Sequence, residues 1–168
     1  ASLNTKPLTA ILLQGLLRPL LDTVNMVNAP VIARERNIDI SEVRNDREGT
    51  YHTLIRLTIT AGDRERSIAG TLFADRRPRI VEIKGIEIEA ALGPHMLYVT
   101  NEDKPGMIGN LGSLLGDNGI NIATFALGRA AQGGDAIALI EIDGPIATDL
   151  LQRVQALPHV RQAKALEF

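Results

Sequence analysis

Met96-Leu97-Tyr98-Val99-Thr100 leads into Asn101-Glu102-Asp103-Lys104-Pro105-Gly106-Met107-Ile108. The first five residues read as a short strand. Pro105 and Gly106 then open a helix, with Met107, Ile108, Leu111, Leu114 and Leu115 on one face. Asp117-Asn118-Gly119 stops it, with Asn or Gly available for a left-handed cap. Downstream, residues 120–127 form a strand, 132–135 a turn and 136–142 a further strand. Gly144-Pro145 turns into a helix carrying Leu150, Leu151, Val154 and Leu157, Pro158 ends it, and 160–166 is a last strand. The order is β-α-β-β-α-β, a ferredoxin-like arrangement. Both helices cover one sheet face, so the other face meets solvent or a partner, and the sheet edges must be managed.

Upstream, Gly93-Pro94 is the strongest break in the chain. It divides the sequence into residues 1–92 and 93–168, two small domains of an α+β protein. In the first, Leu8, Ile11, Leu12, Leu16, Leu17, Leu20 and Leu21 predict a helix over 8–21, with Pro7 in its first turn. A second helix is expected over 25–37, which Pro30 kinks or restarts. The period then changes. Residues 51–60 and 67–73 read as strands around Gly62-Asp63, and 80–83 and 86–88 as a tight hairpin turning at Lys84-Gly85.

At 168 residues the chain is too short for a complete two-domain dehydrogenase, synthetase or kinase. Its 45% hydrophobic and 23% charged residues are those of a globular protein, and 3% aromatics leave the core to Ile, Leu, Val and Ala. Net charge is -2. Residues 1–93 carry 13 Lys or Arg against 12 Asp or Glu, and residues 94–168 carry 5 against 8. That balance offers no basic field for nucleic acid, and aromatics for base stacking are few. With no cysteine, disulfides, thiolate nucleophiles and Cys-ligated metals are excluded from this sequence. A cytoplasmic origin fits. The most apolar early run, Ile11-Leu12-Leu13, is interrupted by Gln14 and Arg18-Pro19, so it neither spans a membrane nor forms a signal peptide.

The strand-to-helix turn is the best candidate site. Free N–H groups at a helix N-terminus receive a carboxylate, Gly106 admits a ligand close to the backbone, and Asn101 and Asp103 add polar groups of which the acid suits an ammonium. Together these suit an amino acid. The competing reading, that Asp103 or Asn101 merely caps the helix, outweighs it on local sequence. Asn121 follows the helix and, taken alone, reads as a turn residue. Gly106-Met107-Ile108-Gly109-Asn110-Leu111-Gly112 has a superficial likeness to a dinucleotide fingerprint, but no two glycines here stand one residue apart as G-x-G-x-x-G requires. NAD binding by this segment is rejected.

Residues 101–108 together with Gly119-Ile120-Asn121-Ile122 resemble the ACT domain, a small-molecule regulatory module of amino-acid metabolism. Upstream, residues 3–10, Asn25-Met26-Val27-Asn28-Ala29-Pro30 and Ala33-Arg34-Glu35-Arg36 resemble the intervening domain of the long-form D-3-phosphoglycerate dehydrogenase family. The resemblance spans nearly the whole chain. It implies a regulatory fragment with a ferredoxin-like ACT domain over 93–168 and an intervening, allosteric substrate-binding-like domain over 1–92, truncated at its N-terminus. The NAD-dependent catalytic part would lie elsewhere in a parent oxidoreductase of serine biosynthesis. It further implies that L-serine, or a related amino acid, binds between two ACT domains for feedback inhibition. The contributing positions would be Asn101, where relatives often carry His or Tyr, Asp103 for the ammonium, and Asn121 from a facing chain. A homodimer or tetramer follows.

Arg76, Arg77, Arg79 and Lys84 form a locally basic stretch. Its common role is a charge-protected edge; its functional reading is an anion site, centred on Arg79, as in some members of the family. His52, His95 and His159 lack metal-ligand spacing, and no catalytic constellation is found. Two other readings remain: the domain pair of an iron–sulfur L-serine dehydratase, against which the lack of cysteine argues, and a purely structural oligomerisation module.

Overall fold

A computed structural model describes residues 4–44, 51 and 53–168. Leu3 and His52 lie outside the described residues. The chain forms two compact units, Ala1–Arg47 and Glu48–Phe168.

The first unit pairs α1 (Lys6–Leu17) with α2 (Ala29–Glu35). Leu13 and Leu17 of α1 pack with Val24, Ala29 and Ala33. Pro7 and Pro30 both occupy first-turn positions, where a missing N–H costs nothing. The helix expected over 25–37 is therefore shorter: Pro30 starts it. Ahead of it the backbone N–H groups of Val27 and Asn28 donate to Asn25 Oδ1, and that of Asn25 donates to Asn28 Oδ1. This interlocked asparagine turn competes with helix for the same backbone groups. Glu42 accepts hydrogen bonds from the Thr9 and Thr5 hydroxyls, which hold its carboxyl below the usual glutamate range.

The second unit holds two antiparallel four-stranded sheets. One runs β1 (Ile55–Ala61), β2 (Arg64–Leu72), β3 (Pro78–Ile83) and β4 (Ile86–Ala91) in simple sequence order. The 83–86 hairpin forms as its residues require, with Lys84 and Gly85 at φ 51° and 77°. Positive φ at both turn residues is the geometry that matches strand twist. The other sheet contains β5 (His95–Glu102), β6 (Ile122–Arg129), β7 (Asp135–Ile142) and β8 (Val160–Glu167) in the order β6-β7-β5-β8. With α3 (Met107–Asp117) and α4 (Thr148–Gln155) this is the β-α-β-β-α-β order read from the sequence.

Both helices cover one face of this second sheet. Leu97, Val99, Ala138, Ile140 and Ile142 meet Met107, Leu111 and Leu115 of α3 and Leu150 and Val154 of α4. Much of the opposite face is covered by the first sheet of the same unit. Met96, Ile137 and Leu139 pack on Ile83, Ile86, Ile88 and Ala90 of the first sheet. The fit is close where β6 passes β4: a Cβ at Gly128 would lie 2.2 Å from the Glu87 carbonyl oxygen. No helix among the described residues is long and apolar enough to cross a membrane.

Candidate functional site

The exit of β5 carries the expected polar residues. Leu97, Val99 and Asn101 alternate on the helix-covered face, so Asn101 continues the core row in its last position, where it is 2% exposed. Its Nδ2 donates to the Glu102 carbonyl at 2.7 Å, and this fixes the amide's orientation. The buried Oδ1 then has no partner among the described residues. A buried acceptor left open costs stability, which makes this oxygen the candidate acceptor of the site.

Neither Asn101 nor Asp103 caps α3. The N-cap is Gly106, at φ 90°, with no side-chain cap hydrogen bond. The capping reading fails for that reason, and among the described residues no side chain caps the first-turn N–H groups of α3. The Asp103 side chain turns instead to the neighbouring hairpin. Its Oδ2 accepts from Arg129 Nη1 at 2.9 Å and from the Gly133 N–H at 3.2 Å. Its own N–H donates to the Gly134 carbonyl at 2.8 Å. The Arg129 guanidinium first, and the Gly133 amide second, hold the Asp103 carboxyl below the usual aspartate range. Beside it, Arg161 bridges Glu102 at 3.3 Å and Asp135 at 2.7 Å, and His159 Nδ1 lies 3.8 Å from Glu102.

Asn121 sits elsewhere. It precedes β6, its Nδ2 donates to Asp143 Oδ2 at 2.8 Å, and its carbonyl accepts from the Asp143 N–H. Asn101 pairs with Ala136 at one end of β7, whereas Asn121 adjoins Ile142 at the other. At roughly 3.4 Å per residue those rungs lie about 20 Å apart. One chain therefore brings Asn101 and Asp103 together and leaves Asn121 at the far end of the same sheet.

The basic stretch does not form one cluster. Arg76, Arg77 and Arg79 line the β2–β3 turn, whereas Lys84 lies at the opposite end of β3. Arg79 is only 18% exposed, pairs with Asp75 at 3.3 Å and stacks over the Phe73 ring at 5.4 Å. Arg77 donates its backbone N–H to Asp75. Lys84 lies over the Tyr98 ring, beside the charged groove of the β1–β2 hairpin, where Arg56 grips Glu82 through two bonds of 2.6 and 2.7 Å. Sequence reasoning missed Arg129, Arg161 and Gly133. For Arg129 and Gly133 the only signal was position near the Gln132–Asp135 turn, and Arg161, in β8, had none; all three gain meaning once β6, β7, β5 and β8 are in register.

The family described as D-3-phosphoglycerate dehydrogenase intervening domain matches residues 1–84, and that described as ACT domain matches residues 95–159. The D-3-phosphoglycerate dehydrogenase of Bacillus subtilis is 37% identical over 170 residues, covering 100% of this chain and 32% of the relative. That of Synechocystis is 34% identical over 166 residues, covering 98% and 30%. That of Methanocaldococcus jannaschii is 32% identical over 157 residues, covering 93% and 30%. The chain thus spans about a third of the length of these relatives.

Proposed function

The chain belongs to the D-3-phosphoglycerate dehydrogenase family, and we propose that it is the regulatory part of such an enzyme, sensing an amino acid between two copies of its ACT domain. L-serine is the effector favoured, acting in feedback inhibition of an NAD-dependent oxidoreductase of serine biosynthesis in the cytoplasm. Residues 93–168 form the sensing module and residues 1–92 the intervening one. No catalytic residue is assigned to this chain.

The observation that carries the reading is the division of polar groups between the two ends of one sheet. Asn101 Oδ1, the Asp103 carboxylate and the uncapped α3 N-terminus gather at the β5 exit. An ammonium suits the two acceptors and a carboxylate suits the helix N–H groups. Asn121, far along the same sheet, can reach such a ligand only from a second chain. A two-fold axis repeats the site, so a dimer holds two.

Calorimetry with L-serine on the chain, with its oligomeric state fixed by sedimentation, tests the reading. Binding by the dimer is expected. Absence of heat at millimolar serine from a folded dimer would overturn it. A mixing experiment adds the geometry. Asn101→Leu and Asn121→Ala dimers should each fail to bind, while co-refolded heterodimers regain one site of the two. Failure of the mixture to recover binding would place both residues in the same chain's site, against the reading.

A further inference from the structure

We propose that Arg129 is a specificity-determining residue of this effector site, and that a zwitterion binds across the Arg129–Asp103 ion pair, its carboxylate on Arg129 and its ammonium on Asp103. The proposal rests on the amino-acid reading above and adds a residue that the turn motif does not contain.

Placement comes first. Arg129 of β6, Ala136 of β7 and Asn101 of β5 share one rung of the sheet. Residues opposed on a rung point to the same face, so Arg129 and Asn101 flank Ala136 on the helix-covered side, about 10 Å apart at roughly 4.8 Å per strand. The α3 N-terminus opens at this same end of β5. Arg129 therefore borders the space that an effector held by Asn101 and the helix would occupy.

Bonding capacity comes second. A guanidinium has five N–H donors. Among the described residues Arg129 commits Nη1 alone, to a single Asp103 oxygen, and its side chain is 57% exposed. Asp103 commits Oδ2, to Arg129 and Gly133, while Oδ1 has no partner among the described residues. Asn101 offers a buried acceptor in Oδ1, while its Nδ2 donates to the Glu102 carbonyl. The corner thus holds an open two-pronged donor, an open carboxylate oxygen and a buried carbonyl oxygen.

These are the complements of an α-amino acid. The effector carboxylate, facing the α3 N–H groups, also takes the unused fork of Arg129, a bidentate geometry that a lysine cannot reproduce. The ammonium supplies three donors for Asp103 and Asn101. Charge also balances. The ion pair is neutral and so is the zwitterion, so no net charge enters a partly buried corner. An amine without the carboxylate, or an acid without the ammonium, would leave one protein charge unmatched and pay for its desolvation. Selectivity for the zwitterion follows from one arginine placed opposite one aspartate.

The test is calorimetric titration of the folded dimer with L-serine, ethanolamine and glycerate, on wild type, Arg129→Gln and Arg129→Lys. The analogues lack, respectively, the carboxylate and the ammonium of serine. Wild type should bind serine at least tenfold more tightly than either analogue. Arg129→Gln should lose at least tenfold in serine affinity and bring ethanolamine to within about threefold of serine. Arg129→Lys should recover only part of the loss. Matched melting curves and sedimentation identify any variant that fails to fold or dimerise, and a panel of amino acids run on wild type covers an effector other than serine. If Arg129→Gln binds serine within twofold of wild type, the proposal is overturned while the effector reading stands. If wild type binds no amino acid in the panel, both fall.

Discussion

The β2–β3 turn and the β5 exit each set an arginine beside an aspartate, and they spend the pair differently. At the turn, Arg79 is sheltered, sits over the Phe73 ring and reaches Asp75, whose carboxyl is held down chiefly by the Arg77 backbone N–H. Phe73 in turn stacks on Tyr51, with centroids 6.3 Å apart. Arg79, Asp75, Phe73 and Tyr51 each have an internal partner there. At the β5 exit Arg129 is exposed, bonds through one nitrogen, and stands near a buried amide oxygen that nothing in the described chain satisfies. Charge density does not separate the two places. Unspent hydrogen-bonding capacity does, because a native fold retains an open buried acceptor only against a cost.

That contrast can be broken most directly at Asn101. Asn101→Leu removes a buried polar group of similar size, so stability should stay within about 1 kcal/mol of wild type or rise. Effector affinity should fall about a hundredfold by calorimetry. A large loss of stability instead would show that the amide serves the fold. Gly128, one residue before Arg129, gives the opposite profile. Gly128→Ala forces a methyl group against the Glu87 backbone and should cost about 1–3 kcal/mol in urea melts, as overpacking does. Arg79→Ala should cost about 0.5–1 kcal/mol, for the lost cation–π contact and ion pair, with serine affinity unchanged. An effect on binding there would revive the basic turn as an effector site.

The smallest expected effect is on pH. Asp103 has a lowered pKa in the fold, so its ion pair stabilises the protein above the unfolded aspartate pKa, about 3.9, and that stabilisation is lost as pH falls through the lower folded value. Wild type should melt above Asp103→Asn at pH 7, and the two curves should converge in acid. A gap that widens in acid would contradict the assigned partner.

The C-terminal sheet was legible because each of its elements is strongly periodic and bounded by Pro, Gly or Asn. Even its helix stop at Asp117–Gly119 and the Lys84–Gly85 hairpin follow from local rules. Less was legible where a residue's partner is remote. The alternation over 51–60 does not reveal that β1 begins at Ile55. Asn25 and Asn28 suit a helix by spacing, and only their reciprocal bonds show the turn. Asp103 has the chemistry of a cap, yet its bond to Arg129 reaches across one intervening strand, β7, and depends on register. Asn101 and Asp103 could be found from the turn alone. Arg129 could not, since nothing in its sequence neighbourhood says which strand end it will face. The sheet-on-sheet core was hidden for a related reason: alternation shows that a face is apolar, not what covers it.

Gly93-Pro94 reads as a seam, but Met96, Ile137 and Leu139 on one side of it are buried by Ile86, Ile88 and Ala90 on the other. Grafting the ACT domain onto a different enzyme by splicing at residue 93 would carry that greasy sheet face into water uncovered, an invitation to aggregate. A transplant that takes both sheets, from just ahead of β1 to Phe168, keeps the face sealed. The smallest portable ACT unit is therefore larger than the smallest recognisable one.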